Sequence, residues 1–430
     1  MSLNHPSSHH TLLLRNARLA APGDAPPQTC DIAIADGRVV GIADSIDATA
    51  HLVLDCGGRL VTPPLVESHI HLDSVFTDDG RLHGPASNLS GTLFEGIALW
   101  GRWKHELTRD AVVEHAMRAI RQLVSLGVLH IRTHVDVSEP TLKLLDALLD
   151  VRQRIRDFAE LQVVAFPQDG LFFSSRGMEL LEEAMRRGAD VVGGIPHGEP
   201  TREDGVRSVH ACFDLAARFD KPIDLHCDEV DDPQSRFIET VLARALSDGV
   251  GPRVAASHTT AMGSYDNSYA DRLLRRLEGS GLNFIANPLV NIHLQGRNDN
   301  YPKRRGLTRV AELLQHGVNV SLGHDCIQDP WYCLGTGNLL DVAHMVAHVC
   351  HLMTLPQIHA CFDMVCWKGA ITLGIDGDRF GIDVDHRADL VVHDAASKFD
   401  AVRKRLPPRW VISRGKIVAE TTSARPIVHV

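Results

Sequence analysis

At 430 residues, with 44% hydrophobic and 23% charged residues, the chain has a globular composition that suits one large α/β domain with additions or two to three ordinary domains. A net charge of −10 argues against a nucleic-acid backbone as partner, and no apolar run is long enough to read as a membrane span. Nine dispersed cysteines without a CxxC pair read as reduced thiols, and with no signal-peptide core the expected location is the cytoplasm.

Residues 1–10 are polar and are set aside. Segments 12–19 and 31–42 are strand-like, and Asp36-Gly37 between alternating apolar runs signals a hairpin. Segments 388–394 and 410–419 repeat this texture near the other end. One small β-sandwich domain built from both termini is therefore predicted, residues 11–62 with 383–425.

The middle, 63–382, alternates strand-like and helical stretches. The strand-like ones are 62–67, 128–134, 161–166, 191–195, 222–226, 254–257, 284–290 and 318–323. Most begin about 30 residues apart, the length of a βα unit. Between them lie amphipathic helices. One is predicted over 111–126 with Thr108 as N-cap, one over 179–187 ending at Gly188, and one over 310–316 ending at Gly317. The pattern predicts an α/β protein with a (β/α)8 TIM-like barrel; an open doubly wound sheet is the alternative. The long stretch after the first strand, with Gly91-Thr92-Leu93-Phe94-Glu95-Gly96, reads as a lid or pocket wall.

In a barrel, active groups gather at the C-terminal ends of the strands. Ser68-His69-Ile70-His71 ends the first strand, and side chains two apart on a strand share a face. His226 ends the fifth, His258 the sixth, and Gly323-His324-Asp325 the eighth. Three or more imidazoles with a carboxylate at one end of a barrel point to a bound Zn(II) or Fe(II). Glu229, three residues after His226, is positioned as a general acid/base beside that ion rather than as a ligand.

This constellation resembles the amidohydrolase superfamily, and the resemblance spans nearly the whole chain. Binuclear members carry a bridging lysine on the fourth strand; here that strand ends Gly194-Ile195-Pro196-His197-Gly198-Glu199. The resemblance thus implies one divalent metal held by His69, His71, His226 and Asp325. Longer stretches are similar to the bacterial cytosine deaminase branch: 90–96, 132–137, 164–168, 226–229, 256–262, 287–297 and 329–332. That similarity implies hydrolytic deamination of a free pyrimidine base, cytosine or 5-methylcytosine and also 5-fluorocytosine. Glu229, His258 and Asp325 would be catalytic. Gln168 would bind the pyrimidine amide edge, and Phe166, Leu93 and Trp331 would form an apolar slot. It also implies a homo-oligomer, with neither nucleic acid nor membrane as partner.

The chain departs from the branch in two places. Where two consecutive aspartates follow Gly-His in that pattern, this chain has Asp325-Cys326. A smaller, neutral thiol makes room for an apolar substituent, so 5-methylcytosine is an expected substrate. The second departure is Gly198, where a bulky aromatic can stand; its loss is expected to widen the pocket. Competing readings are an amidohydrolase of another cyclic amidine, such as isocytosine, creatinine or a triazine, and a non-enzymatic metal-binding relative.

Overall fold

The computed structural model describes residues 10–78 and 88–422. Its first five strands are β1 (His10–Leu19), β2 (Gln28–Ala35), β3 (Arg38–Ala43), β4 (Ala50–Asp55) and β5 (Leu60–Thr62). Eight barrel strands follow: β6 (Leu65–Ile70), β7 (Val128–Asp136), β8 (Glu160–Phe166), β9 (Val191–Gly194), β10 (Ile223–Cys227), β11 (Val254–His258), β12 (Asn283–Ala286) and β13 (Asn319–Leu322). The last three are β14 (Leu390–Val392), β15 (Trp410–Ser413) and β16 (Lys416–Glu420).

Strands β6 to β13 pair in sequence order, every pair parallel, with helices between most of them. The cylinder is stitched shut where the ends of β6 and β13 meet. Asp325 donates its backbone N–H to His69 O at 2.8 Å, and His71 donates its own to Asp325 O at 3.0 Å. This is the predicted barrel. The termini form the second, mixed sheet, in which β1 and β5 join β2 and β3 on one side to β14, β15 and β16 on the other. It has its own apolar core of Leu12, Leu14, Ile32, Ile34, Leu390 and Ile412. Asp36-Gly37 is the hairpin turn, with both residues at positive φ.

Local signals mark most element ends. Thr108 Oγ1 accepts from Ala111 N at the start of Arg109–Ser125, whose buried face includes Val113, Ile120 and Val124. Gly188, at φ 110°, ends Gly177–Arg187. In the long stretch after β6, Thr92 caps the helix Leu93–Glu106. Residues 79–87 of that stretch, and 423–425 of the expected terminal unit, lie outside the described residues.

One predicted element differs. The seventh strand, expected over 284–290, stops at Ala286, and Pro288–Leu294 is helical. Pro288 has no N–H for the strand ladder, and its fixed φ suits the first turn of a helix. Among the described residues no helix is long and apolar enough to cross a membrane.

Candidate active site

The C-terminal ends of β6, β10, β11 and β13 bring His69, His71, His226, His258 and Asp325 together, all nearly or fully buried. His71 Nε2 lies 3.1 Å from His226 Nε2, and Asp325 Oδ1 lies 3.5 Å from His69 Nε2 and 3.6 Å from His71 Nε2. His69 Nε2 has no hydrogen-bond partner. Around an ion with bonds of about 2.0–2.2 Å, tetrahedral ligand atoms sit roughly 3.3–3.6 Å apart. The two Asp325 separations fall in that range and the His71–His226 one just below it; the buried groups whose ligand atoms cluster are His69 with His71 and His134, His69 with His226 and His258, and Glu229 with His258 and Asp325.

The backbone ends the strands in a way that turns these side chains inward. His258 and Asp325 have φ of 68° and 71°, in the left-handed region that side-chain-bearing residues rarely adopt. Gly323 allows the last strand to approach β6 closely, since a Cβ there would stand 2.7 Å from His69 Cβ. Glu67 braces the same junction, its carboxylate accepting from the backbone N–H of His69 and of His324 at 3.0 Å each.

Burial drives the electrostatics. It holds His69, His71 and His226 well below the usual imidazole range, and neighbouring imidazoles add to the effect. The rings are therefore neutral, as metal ligands must be. Burial pushes Asp325 up to about 8. His258 is raised: burial opposes its charge, but Glu229, with Oε1 3.0 Å from His258 Nδ1, and Asp325 outweigh it. Asn291 Nδ2 donates to Glu229 Oε1 at 3.3 Å and lies 3.0 Å from His258 Nδ1.

A small cavity lies above this group. Glu229, His258 and Asp325 line it together with Gln168, Leu93, Cys326 and Trp331. Phe166 is placed differently from the expected slot wall. It is fully buried and stacks on His226, ring centroids 3.9 Å apart, so it packs behind an imidazole instead of lining the cavity. Gly198 lines neither this cavity nor the wider chamber beside it. Its neighbours His197 and Glu199 line that chamber, so widening of the inner pocket by Gly198 receives no support from the lining.

The sequence signature of the Amidohydrolase family matches residues 52–419. The chain belongs to the amidohydrolase family. As an amidohydrolase it is a metal-dependent hydrolase, and its buried His and Asp groups could hold the metal. It is similar to a solved structure of 5-methylcytosine deaminase from Klebsiella pneumoniae liganded with phosphonocytosine. The two share 43% identity and a TM-score of 0.90, covering 97% of this chain and 100% of the other. The same Klebsiella protein liganded with 5-fluorocytosine gives 43% identity and a TM-score of 0.89, covering 97% and 98%. N-isopropylammelide isopropyl amidohydrolase from Pseudomonas sp. (strain ADP) is 28% identical over 420 residues, 96% of this chain and 98% of that protein.

In this amidohydrolase the sequence reasoning missed Val290, Asn291 and Leu294. Val290 and Leu294 line the cavity, and Asn291 touches both Glu229 and His258. Their signal was the spacing that puts Leu294 four residues after Val290 and three after Asn291, on one helical face. Reading 284–290 as a strand concealed it. His134, tilted against His69 with ring centroids 4.0 Å apart, was also missed, though it lies near the end of the second barrel strand as His226 does near the end of the fifth.

Proposed function

We propose that this amidohydrolase hydrolytically deaminates a free pyrimidine base, cytosine or 5-methylcytosine and also 5-fluorocytosine, to uracil, thymine or 5-fluorouracil plus ammonia. The observation that carries the reading is the small cavity that gathers Glu229, His258 and Asp325 with Gln168, Leu93, Cys326 and Trp331. The cavity is small, as a single small ring requires. The 43% identity to 5-methylcytosine deaminase supports the same substrate class.

We assign one divalent ion, zinc or iron, to His69, His71, His226 and Asp325; bound there it supplies the Lewis acidity that makes water a nucleophile near neutral pH. Asp325 takes a proton from the attacking water. His258, 3.0 Å from Glu229 and 3.9 Å from Asp325, orients that water between the two carboxylates. Glu229 protonates the ring nitrogen beside the amino-bearing carbon. Water oxygen bonds to that carbon, and the C–N bond to the amino group breaks as a second proton leaves with ammonia. Gln168 pairs with the amide edge of the base, Leu93 and Trp331 cover its faces, and the neutral thiol of buried Cys326 borders the 5-substituent.

The test is steady-state ammonia release by metal-replete protein on cytosine and 5-methylcytosine. Turnover of both is expected, and loaded protein inert on both would sink the reading. The relationship to N-isopropylammelide isopropyl amidohydrolase favours one second reading, a triazine or other cyclic amidine as substrate, which the same assay separates.

A further inference from the structure

Beneath the imidazoles lies a buried polar chain outside the proposed chemistry. Arg132, 2% exposed, donates from Nη1 to Asp224 Oδ2 at 3.0 Å. Three further bonds hold it: Nε and Nη2 to Gln162 Oε1, and Nη2 also to Thr372 O. Asp224, fully buried, faces that guanidinium as a carboxylate. Ser257 Oγ donates to Asp224 Oδ1 at 2.7 Å and lies 3.0 Å from His69 Nδ1. His134 Nε2 also stands 3.7 Å from Asp224 Oδ1.

A serine hydroxyl has a single proton. An ionised carboxylate can only accept, so that proton goes to Asp224. Toward His69 the oxygen is then an acceptor, and the proton between Ser257 and His69 sits on Nδ1. A neutral imidazole with Nδ1–H has a bare Nε2. His69 Nε2 is the atom that lies 3.5 Å from Asp325 Oδ1 without a hydrogen-bond partner.

We infer that Arg132, Asp224 and Ser257 form a positioning relay that fixes His69 as the Nδ1–H tautomer and presents its bare Nε2 to the ion. This rests on the assignment of an ion to His69. The chain draws the relay from three barrel strands. Asp224 and His226 are two apart on β10 and share a face, and Ser257 on β11 is the register partner of His226. None of the three residues reaches the cavity, so they act through His69 and not on substrate.

The experiment compares Ser257→Thr and Ser257→Val, which match in shape and differ in the hydroxyl. Zinc affinity is read by competition with a chromophoric chelator. Losing a partner that orients a metal ligand costs about 10–100-fold in affinity. Ser257→Val should lose that much, whereas Ser257→Thr should stay within about threefold of wild type, and equal affinities of the two would overturn the relay. A second readout needs no relay variant. In ¹⁵N-histidine spectra of metal-free wild type, with His69 identified by its loss in His69→Gln, the Nδ1–H pattern is expected. An Nε2–H pattern would overturn the proposal. Wild type that shows Nδ1–H yet binds no zinc would refute the ion assignment instead, so the two failures are distinguishable.

Discussion

Glu229 and His258 meet at 3.0 Å, Oε1 to Nδ1, across the gap between the loop after β10 and the last residue of β11. The pair places a carboxylate that can carry a proton against an imidazole that can carry charge, both on the wall of one small cavity.

Glu229→Gln keeps the shape and removes the proton carrier. A general acid/base contributes about 10²–10⁴-fold, so kcat on cytosine should fall within that range while metal content stays at wild-type level. Steady-state kinetics with metal analysis on the same preparation is the check; near-wild-type turnover would remove Glu229 from the chemistry.

Cys326 borders the cavity as a neutral thiol. Cys326→Asp should lower kcat/KM on 5-methylcytosine relative to cytosine by at least about tenfold, the low end of what one methyl in an apolar pocket contributes. Parallel rates on the two bases decide it, and an unchanged ratio would separate Cys326 from 5-methyl recognition.

Gly96 packs closely against the cavity-lining indole of Trp331. A Cβ added at Gly96 would stand 2.4 Å from Trp331 Cδ1. Gly96→Ala must push the indole, and KM should rise about tenfold with far less change in kcat, as expected when ground-state binding is lost. Equal KM in a folded variant would show that the indole does not cover the substrate.

Acid stability should carry the signature of Asp224. Burial works against its charge, but His134, Arg132 and Ser257 prevail and hold the carboxyl at about 2, below its ordinary 3.8. A depressed carboxyl stabilises the fold above the ordinary value, and that stability drains as pH falls from about 4 toward 2. The amount is about 2 kcal/mol. Denaturant unfolding of metal-free protein across this window should show a shallower acid slope for Asp224→Asn than for wild type, whatever their absolute stabilities.

Chelation should abolish deamination and lower the melting temperature, and zinc or iron should restore both, because an ion that binds only the native state stabilises it by mass action. Full activity in metal-free protein would contradict the assignment to His69, His71, His226 and Asp325.

Much of this was legible in the chain. His69 and His71 have strand parity, and His226, His258 and Asp325 follow at the ends of later strands, so the barrel and the gathering of these side chains came from period and placement. Gln168, Leu93, Trp331 and Cys326 line the cavity. Phe166 does not, because the last residue of β8 stacks behind His226, and which aromatic faces the ligand depends on packing between strands. Asn291 was hidden by an apolar stretch that fits strand or helix until Pro288 is weighed. The pairing of Arg132, Asp224 and Ser257 joins residues 33 and 92 positions apart, and no local pattern reports such contacts.

Asp325 is joined to His69 and His71 through main-chain hydrogen bonds, so docking of the last strand brings the proposed carboxylate ligand to two of the proposed histidine ligands. A chain that has folded through β12 but has not yet docked β13 still has His69, His71 and His226 and lacks the carboxylate. Under the proposed assignment, full metal affinity requires the closed cylinder.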